Sequence, residues 1–193
     1  MAAPVFTPPF FIFLLTVAAC TLLILVTFSM PFIHDFYFVH SSINGGIKFG
    51  LWGWCFDSDG SCTMKQFGYH FDPELIPILT KLFILYPIAA GLTLLTALTL
   101  LPVLFTTGYR WYPFPLFAWM ALLSFLTSGA ALGVATAAWV IAVHRFHEAG
   151  NSANLVSGPC IWMSAGATAA LLLVAINAAN GIENLETLTA ILL

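Results

Sequence analysis

Charged positions divide this chain into four long apolar blocks: no Asp, Glu, Lys or Arg occurs in 1–34, 82–109, 111–144 or 149–182. Each block exceeds the roughly 20 residues that a helix needs to cross a bilayer. The pattern predicts four membrane-spanning helices, near 10–30, 78–104, 115–142 and 160–180, in a single four-span domain over 1–193. Pro31 fits the exit of the first span, and Pro113 and Pro115 fit the entry of the third, because proline lacks the amide hydrogen that a helix interior uses. Pro87 falls inside the second predicted span, where a kink absorbed by neighbouring helices is expected. Lys81 stands at the mouth of that span, with its ammonium snorkelling to the interface.

Composition sharpens the class. The chain is 61 % hydrophobic and 7 % charged, with a mean hydropathy of +0.99. Soluble domains carry about 25 % charged residues, so polar side chains could not cover a water-exposed surface here. The net charge of −3 is too small to point to nucleic acid or another polyelectrolyte. "VAAC" (Val17 to Cys20) loosely matches a lipoprotein cleavage box. No basic residue precedes it, and the apolar run continues for ten residues beyond it. A retained helix is therefore expected rather than a signal peptide.

The spans leave connections at about 31–77, 105–114 and 143–159. In the second, Tyr109, Trp111 and Tyr112 fit an interfacial aromatic belt. The first is the longest and most polar. Its centre, "GLWGWCFDSDGSC" (residues 50–62), holds two of the four cysteines and two of the six tryptophans. "INGGIKFGLWGWCF" reads as a turn followed by an extended aromatic-rich run, "FDSDGSC" as a second turn and "CTMKQFGY" as a returning strand. Cys55 and Cys62 then face one another across a hairpin and suit a disulfide, with free thiols as the alternative. Their C-x6-C spacing does not match a zinc site. Cys20 and Cys160 are expected as free thiols.

Lysine and arginine counts slightly favour placing the long connection inside, since Arg110 stands alone against Lys48, Lys65 and Arg145. A disulfide needs an oxidising compartment, and that consideration reverses the assignment. The long first loop is expected outside, with both termini in the cytoplasm.

Gly50-Leu51-Trp52-Gly53-Trp54-Cys55 followed by Cys62 resembles the Gly-Φ-Φ-Gly-x-Cys…Cys signature, with Φ Leu or aromatic, of fungal claudin-like membrane proteins. Gly68-Tyr69 is similar to the pair that trails the second cysteine in the PalI/Sur family. The resemblance implies a mainly α protein: a left-handed, claudin-like four-helix transmembrane bundle capped by a small extracellular antiparallel sheet. It also implies a plasma-membrane protein without catalysis that organises membrane domains, supports the cell wall, assists larger membrane proteins, or joins an ambient-pH signalling complex. Many PalI-like members carry a long cytoplasmic tail, whereas only 181–193 follow the fourth predicted span here.

A small membrane enzyme is the competing class. The predicted span cores hold no ionisable side chain of the kind that marks catalysis or transport in membranes. C-x-x-C, G-x-S-x-G and phosphate-binding glycine motifs are also missing from the sequence. "HRFHE" (His144 to Glu148) has metal-ligand residue types but fits an ordinary polar helix end, so no metal or cofactor is expected. Gly129, Gly133 and Ala137 form a small-xxx-small stripe, read as packing inside the bundle against Ala165, Gly166, Ala169 and Ala170, or as a docking face for another protein. His34, His40, His70, His144 and His147 all fall outside the spans. They are candidates for pH sensing, although histidine's avoidance of membrane cores places them there equally well. The expected partners are a larger membrane protein or a second copy, and membrane lipids. Trp52 or Trp54 is the expected anchor, since tryptophan is enriched where interface energy concentrates.

Overall fold

The structure, a computed structural model, describes residues 8–42, 46–63, 81–105, 114–148 and 155–192. Four long helices, α1 (Pro8–Thr27), α2 (Leu85–Phe105), α3 (Phe114–Glu148) and α4 (Pro159–Leu192), accompany four short strands. The strands are β1 (Val39–Ser41), β2 (Ile47–Phe49), β3 (Trp54–Phe56) and β4 (Leu155–Ser157). All four helices are long and apolar enough to cross a membrane, over Phe10–Thr27, Leu85–Pro102, Leu116–Arg145 and Pro159–Asn180. The protein is a multi-pass membrane protein with a mostly helical fold.

The helices pack in cyclic order, α1 on α2, α2 on α3, α3 on α4 and α4 back on α1. Their buried positions explain why. On α3 the buried residues are Ala121, Ser124, Ser128, Ala131, Ala135, Ala138 and Ala142; on α4 they are Cys160, Ser164, Ala167, Leu171, Val174 and Ala178. On α2 they include Tyr86, Ala89, Thr93, Thr96 and Leu100. Each series steps by three and four residues alternately, the heptad spacing that keeps one seam facing its neighbours. Most seam residues are small or carry a hydroxyl. Between lipid-embedded helices, small residues permit close approach, and hydroxyls form interhelical hydrogen bonds.

Three hydroxyl pairs bridge helices. Tyr86 donates to Ser164 Oγ at 3.3 Å across the bundle, Thr96 and Ser124 hydroxyls meet at 3.0 Å, and Ser128 and Thr168 meet at 2.8 Å. Several of these groups also donate to the carbonyl one turn back, as Thr96 does to Leu92 and Thr168 to Ser164. The hydrocarbon interior therefore meets few unpaired hydroxyls from this seam.

β4 pairs with β1, so the first and third connections meet in one antiparallel sheet of order β3-β2-β1-β4 at one end of the bundle. One sheet face carries the cross-strand row Cys55, Lys48, His40 and Val156; the other carries Trp54, Phe49, Val39 and Ser157. Val39, Ile47 and Phe49 are buried with Phe83, Tyr86, Ala131, Ala135, Cys160 and Ala167, one continuous core from sheet to helices. A second core around Leu100, Phe117, Ala121, Val174 and Ala178 closes the far end.

The structure revises several sequence-based expectations. Pro87 occupies the first turn of α2, not its interior, because the helix begins at Leu85; there its missing amide breaks no helical bond. Pro102 is the proline inside that helix. α3 continues past 142 to Glu148, and α4 continues past 180 to Leu192. The extended run through 47–56 is broken, since β2 and β3 are separate strands joined at Gly50–Gly53. β1 and β4 were not foreseen. Tyr109, Trp111 and Tyr112 lie outside the described residues.

If interhelical hydroxyls hold the seam, Ser128→Ala and Thr168→Val should not be additive. A double-mutant cycle by reversible unfolding in mixed micelles should return a coupling of about 0.6 kcal/mol, with ~1.7 as the upper range. Additive losses would show that the pair contributes no specific interaction.

Candidate functional site: the signature turn and the disulfide hairpin

The end of a helix leaves its last carbonyls without intrahelical donors. At the end of α1 the partners are supplied from two sources. Phe28 donates to Ile24 O at 2.9 Å and Ser29 to Val26 O at 3.2 Å, both locally. Thr27 O instead accepts from the indole Nε1–H of Trp52, at 2.7 Å. The neighbouring Leu51 N–H donates to Ser29 Oγ at 3.0 Å, and the Trp52 N–H donates to Met30 O at 3.3 Å. The signature turn is thus a cap for the first span, delivered from 22 to 25 residues along the chain.

The two glycines make this possible. Gly50 N–H donates to Gly53 O at 2.8 Å, closing the four-residue connection between β2 and β3. A Cβ on Gly50 would stand 2.8 Å from Met30 Cα and nearer still to the Met30 carbonyl. Only glycine lets the two backbones come so close. Leu51 is fully buried beneath the turn. Trp52 is half-buried, its ring meeting Phe32 edge-on at 5.9 Å, and Phe32 meets Phe28 in the same way at 5.9 Å. Of the two tryptophans expected to pack at the membrane surface or to face a partner, Trp52 commits its polar edge to Thr27. Trp54, half-buried and edge-on to Phe56 at 4.9 Å, remains the hairpin's aromatic candidate.

Beyond β3 the chain turns back on itself. Phe56 N–H donates to Ser61 O at 2.9 Å, Thr63 N–H to Trp54 O at 3.0 Å, and Trp54 N–H to Thr63 Oγ1 at 3.1 Å. Cys55 and Cys62 form a disulfide across this hairpin, with Cα atoms 4.1 Å apart. The Asp59 carboxylate accepts from Ser61 N and Oγ at 3.2 and 2.9 Å, and these bonds hold its carboxyl below the ordinary carboxylate range. Gly60, at φ 68°, supplies the left-handed residue of the turn. Cys20 and Cys160 are free and buried.

A charged cluster fastens the same hairpin to the sheet's outer row. Lys48 Nζ lies 2.6 Å from Asp57 Oδ1, and His40 Nε2 lies 3.4 Å from Asp57 Oδ2. The Lys48 ammonium sits 5.6 Å from the Tyr37 ring centre, within cation–π range. Asp57 N–H donates to Gly46 O at 2.8 Å, and Gly46 adopts φ 98°. The hydrogen bond from Lys48 is the leading cause that holds the Asp57 carboxyl below its usual range.

The remaining sequence candidates are scattered. His34 is exposed beside the disulfide, its ring nitrogen within 4.8 Å of both sulfurs; tied to each other, those sulfurs offer no thiolate to a metal. His144 is exposed at the sheet-side end of α3, and His147 lies one turn on. Gly68, Tyr69 and His70 fall outside the described residues. Of the small-residue stripe, Gly129 reaches only Thr168, 4.0 Å from its would-be Cβ, and Gly133 meets nothing. Gly133 and Ala137 are exposed. A four-residue step drifts away from the 3.5-residue seam, so the internal-packing reading of this stripe gives way to Ser124, Ser128, Ala131 and Ala135.

The profile of the SUR7/PalI family matches residues 7–176. The chain belongs to the SUR7/PalI family. The match spans α1 to α3, the sheet, the disulfide hairpin and the first half of α4, and such proteins are generally non-enzymatic. No curated protein matches the chain. Within this SUR7/PalI protein, sequence reasoning found the signature but missed its receptor, Thr27 to Met30. It also missed the Lys48–Asp57–His40 cluster. The usable signal for that cluster was a Lys and a His at alternating strand positions near the Asp-rich turn.

Three outcomes follow from this geometry. Trp52→Phe keeps the ring and removes the donor to Thr27 O, and should lower unfolding stability in detergent by about 1–3 kcal/mol, the range for orphaning a buried polar group. Gly50→Ala should be worse and should release the hairpin; wild-type stability in either variant would contradict the cap. Removing the disulfide with Cys55→Ala and Cys62→Ala together should lower stability by about 2–3 kcal/mol through loop-closure entropy, and a free Cys55 in non-reducing mass mapping would refute the bridge. The Asp57 carboxyl is lower in the folded state than unfolded, so its stabilisation is complete above the ordinary Asp range of about 4 and is lost as pH falls through the folded value. Trp54 fluorescence should report a hairpin that loosens below about 4, with Asp57→Asn shrinking that acid limb and Asp57→Asn together with Asp59→Asn abolishing it. An identical acid limb in Asp57→Asn would assign it elsewhere.

Proposed function

We propose that this protein is a non-catalytic accessory or organiser of the plasma membrane, acting by binding a larger membrane protein or by assembling a membrane patch. The observation that carries this reading is the division of labour in the fold. The bundle seam is built from small and hydroxyl residues, with no ionisable side chain among its described buried positions other than Tyr86 and two free cysteines. The polar chemistry collects in the stapled sheet at one end, where a rigid surface is held out from the membrane. A disulfide persists in an oxidising compartment, which supports a topology with the sheet outside and both termini in the cytoplasm. Trp162, 72 % exposed near the start of α4, and Trp119, 65 % exposed near the start of α3, fit aromatic anchors at the two opposite interfaces.

Purification from native membranes in mild detergent should yield this chain with a larger membrane protein or with further copies of itself. The Cys55→Ala, Cys62→Ala pair should alter the stability, location or activity of that partner. A monodisperse, partner-free protein that turns over a small molecule would overturn the proposal in favour of a membrane enzyme.

A second reading, participation in an ambient-pH sensing complex, is favoured by one specific contact. His40 is placed beside a carboxylate, Asp57, in the hairpin cluster. Replacing His40 alone by Gln should then flatten a cellular pH response at unchanged protein level. An unaltered response would remove this reading.

A further inference from the structure

The two ends of the disulfide differ in their access to solvent. Cys55, on β3, is only 1 % exposed, whereas Cys62, on the returning side of the hairpin, is exposed. The sulfur–sulfur bond therefore runs from the interior of the sheet end to its surface. His34 is exposed beside it, and its ring nitrogen lies within 4.8 Å of both sulfurs. The cap, the helix seam and the Lys48–Asp57–His40 cluster are all built without this histidine.

Main-chain hydrogen bonds hold His34 in that place. Phe36 N–H donates to Ile33 O at 3.2 Å, closing a turn in which His34 is the second residue. Met30 N–H donates to Phe36 O at 2.9 Å, and Met30 O accepts from Trp52 N–H at 3.3 Å. The segment that carries His34 is thus fixed on the turn that leads into Cys55. The cap of the first span and the placement of this imidazole beside the bridge have the same cause.

We propose that the Cys55–Cys62 bridge is a thiol-exchange site, opened by a low-molecular-weight thiol at Cys62 with His34 giving a proton to the departing Cys55 sulfur. Exchange is the attack of a thiolate on one sulfur while the other leaves, and exposed bridges are the labile ones. Exposure selects the atom attacked. A thiolate arriving from solvent meets Cys62 first, with Cys55 behind it in the interior. The thiol loses its proton to solvent and its sulfur bonds to Cys62 Sγ. The Sγ–Sγ bond breaks, and its electron pair goes to Cys55. A thiolate on a buried sulfur is disfavoured, and histidine is the side chain able to supply a proton near neutral pH. Exposed His34 delivers that proton and regains one from water. A second thiolate then attacks the added sulfur, forms the small-molecule disulfide and releases Cys62 as a thiolate. Two electrons have passed from two thiols to the bridge.

The test treats the full chain in detergent micelles with 2-mercaptoethanol near neutral pH. The reaction is quenched in acid, free cysteines are alkylated with a maleimide during denaturation, and the adducts are mapped by mass spectrometry. Wild-type protein should open while circular dichroism shows unchanged helix content, with the mercaptoethanol adduct on Cys62 and the maleimide on Cys55. His34→Gln should slow opening by roughly three- to tenfold, the effect of a leaving thiol ten- to hundredfold less acidic at a Brønsted sensitivity of about 0.5. Free imidazole should restore part of the rate in that variant. An adduct on Cys55, or a bridge that opens only as helix content is lost, would overturn the proposal; both are read on the wild type, whatever the variant does. So would a His34→Gln rate equal to wild type, or a slow variant that imidazole leaves slow.

Discussion

One hydrogen bond organises the sheet end of this protein: the Trp52 indole donating to the last carbonyl of the first span, Thr27 O, at 2.7 Å. A helix that leaves a bilayer has carbonyls whose intrahelical partners have run out, at a depth where an unpaired polar group is expensive. Satisfying them by a residue from the following loop fixes where that loop begins. The glycine at position 50 permits the contact and Leu51 buries beneath it. The Gly-Leu-Trp-Gly turn thereby acquires a physical meaning specific to this fold.

The rest of the sheet end follows from that docking. β2 and β3 grow from the two sides of the turn, and the disulfide holds the next hairpin in register with β3. On the other flank, Phe38 stacks on Phe83 at 5.1 Å and packs on Tyr86 at 5.4 Å, joining β1 to α2. Gly158 N–H donates to Phe38 O at 2.7 Å, and Cys160 N–H donates to Tyr37 O at 3.3 Å, seating the start of α4 on the same segment. A Cβ on Gly158 would collide with the Tyr37 backbone. Glycine thus permits close backbone contact at the end of α1 and at the start of α4. The sheet couples three of the four spans and is a structural cap.

The sequence made some of this legible and hid the rest for definable reasons. Four apolar blocks announced four helices, because charge is costly within a bilayer and its absence over long runs is a strong signal. The cysteine pair announced a hairpin. The seam was harder to read: in lipid both faces of a helix are apolar, so the contrast that marks a buried stripe in soluble proteins is lost. The spacing Ala121, Ser124, Ser128, Ala131, Ala135 is present in the sequence but competes with Gly129, Gly133 and Ala137, which catch the eye as a familiar motif. β1 and β4 have only three residues each, too short for alternation to register. The receptor for the signature turn was invisible because it consists of main-chain carbonyls, which any sequence could supply.

The central claim is that the signature turn is the lid on the first span, not a free recognition loop. Amide and indole hydrogen exchange by NMR, with the protein in detergent micelles, measures this directly at Leu51 N–H, Trp52 N–H and Trp52 Nε1–H. All three should exchange slowly and with a common protection, as groups opening together with the end of α1. Rapid exchange of the Trp52 indole, while the helices stay protected, would contradict it.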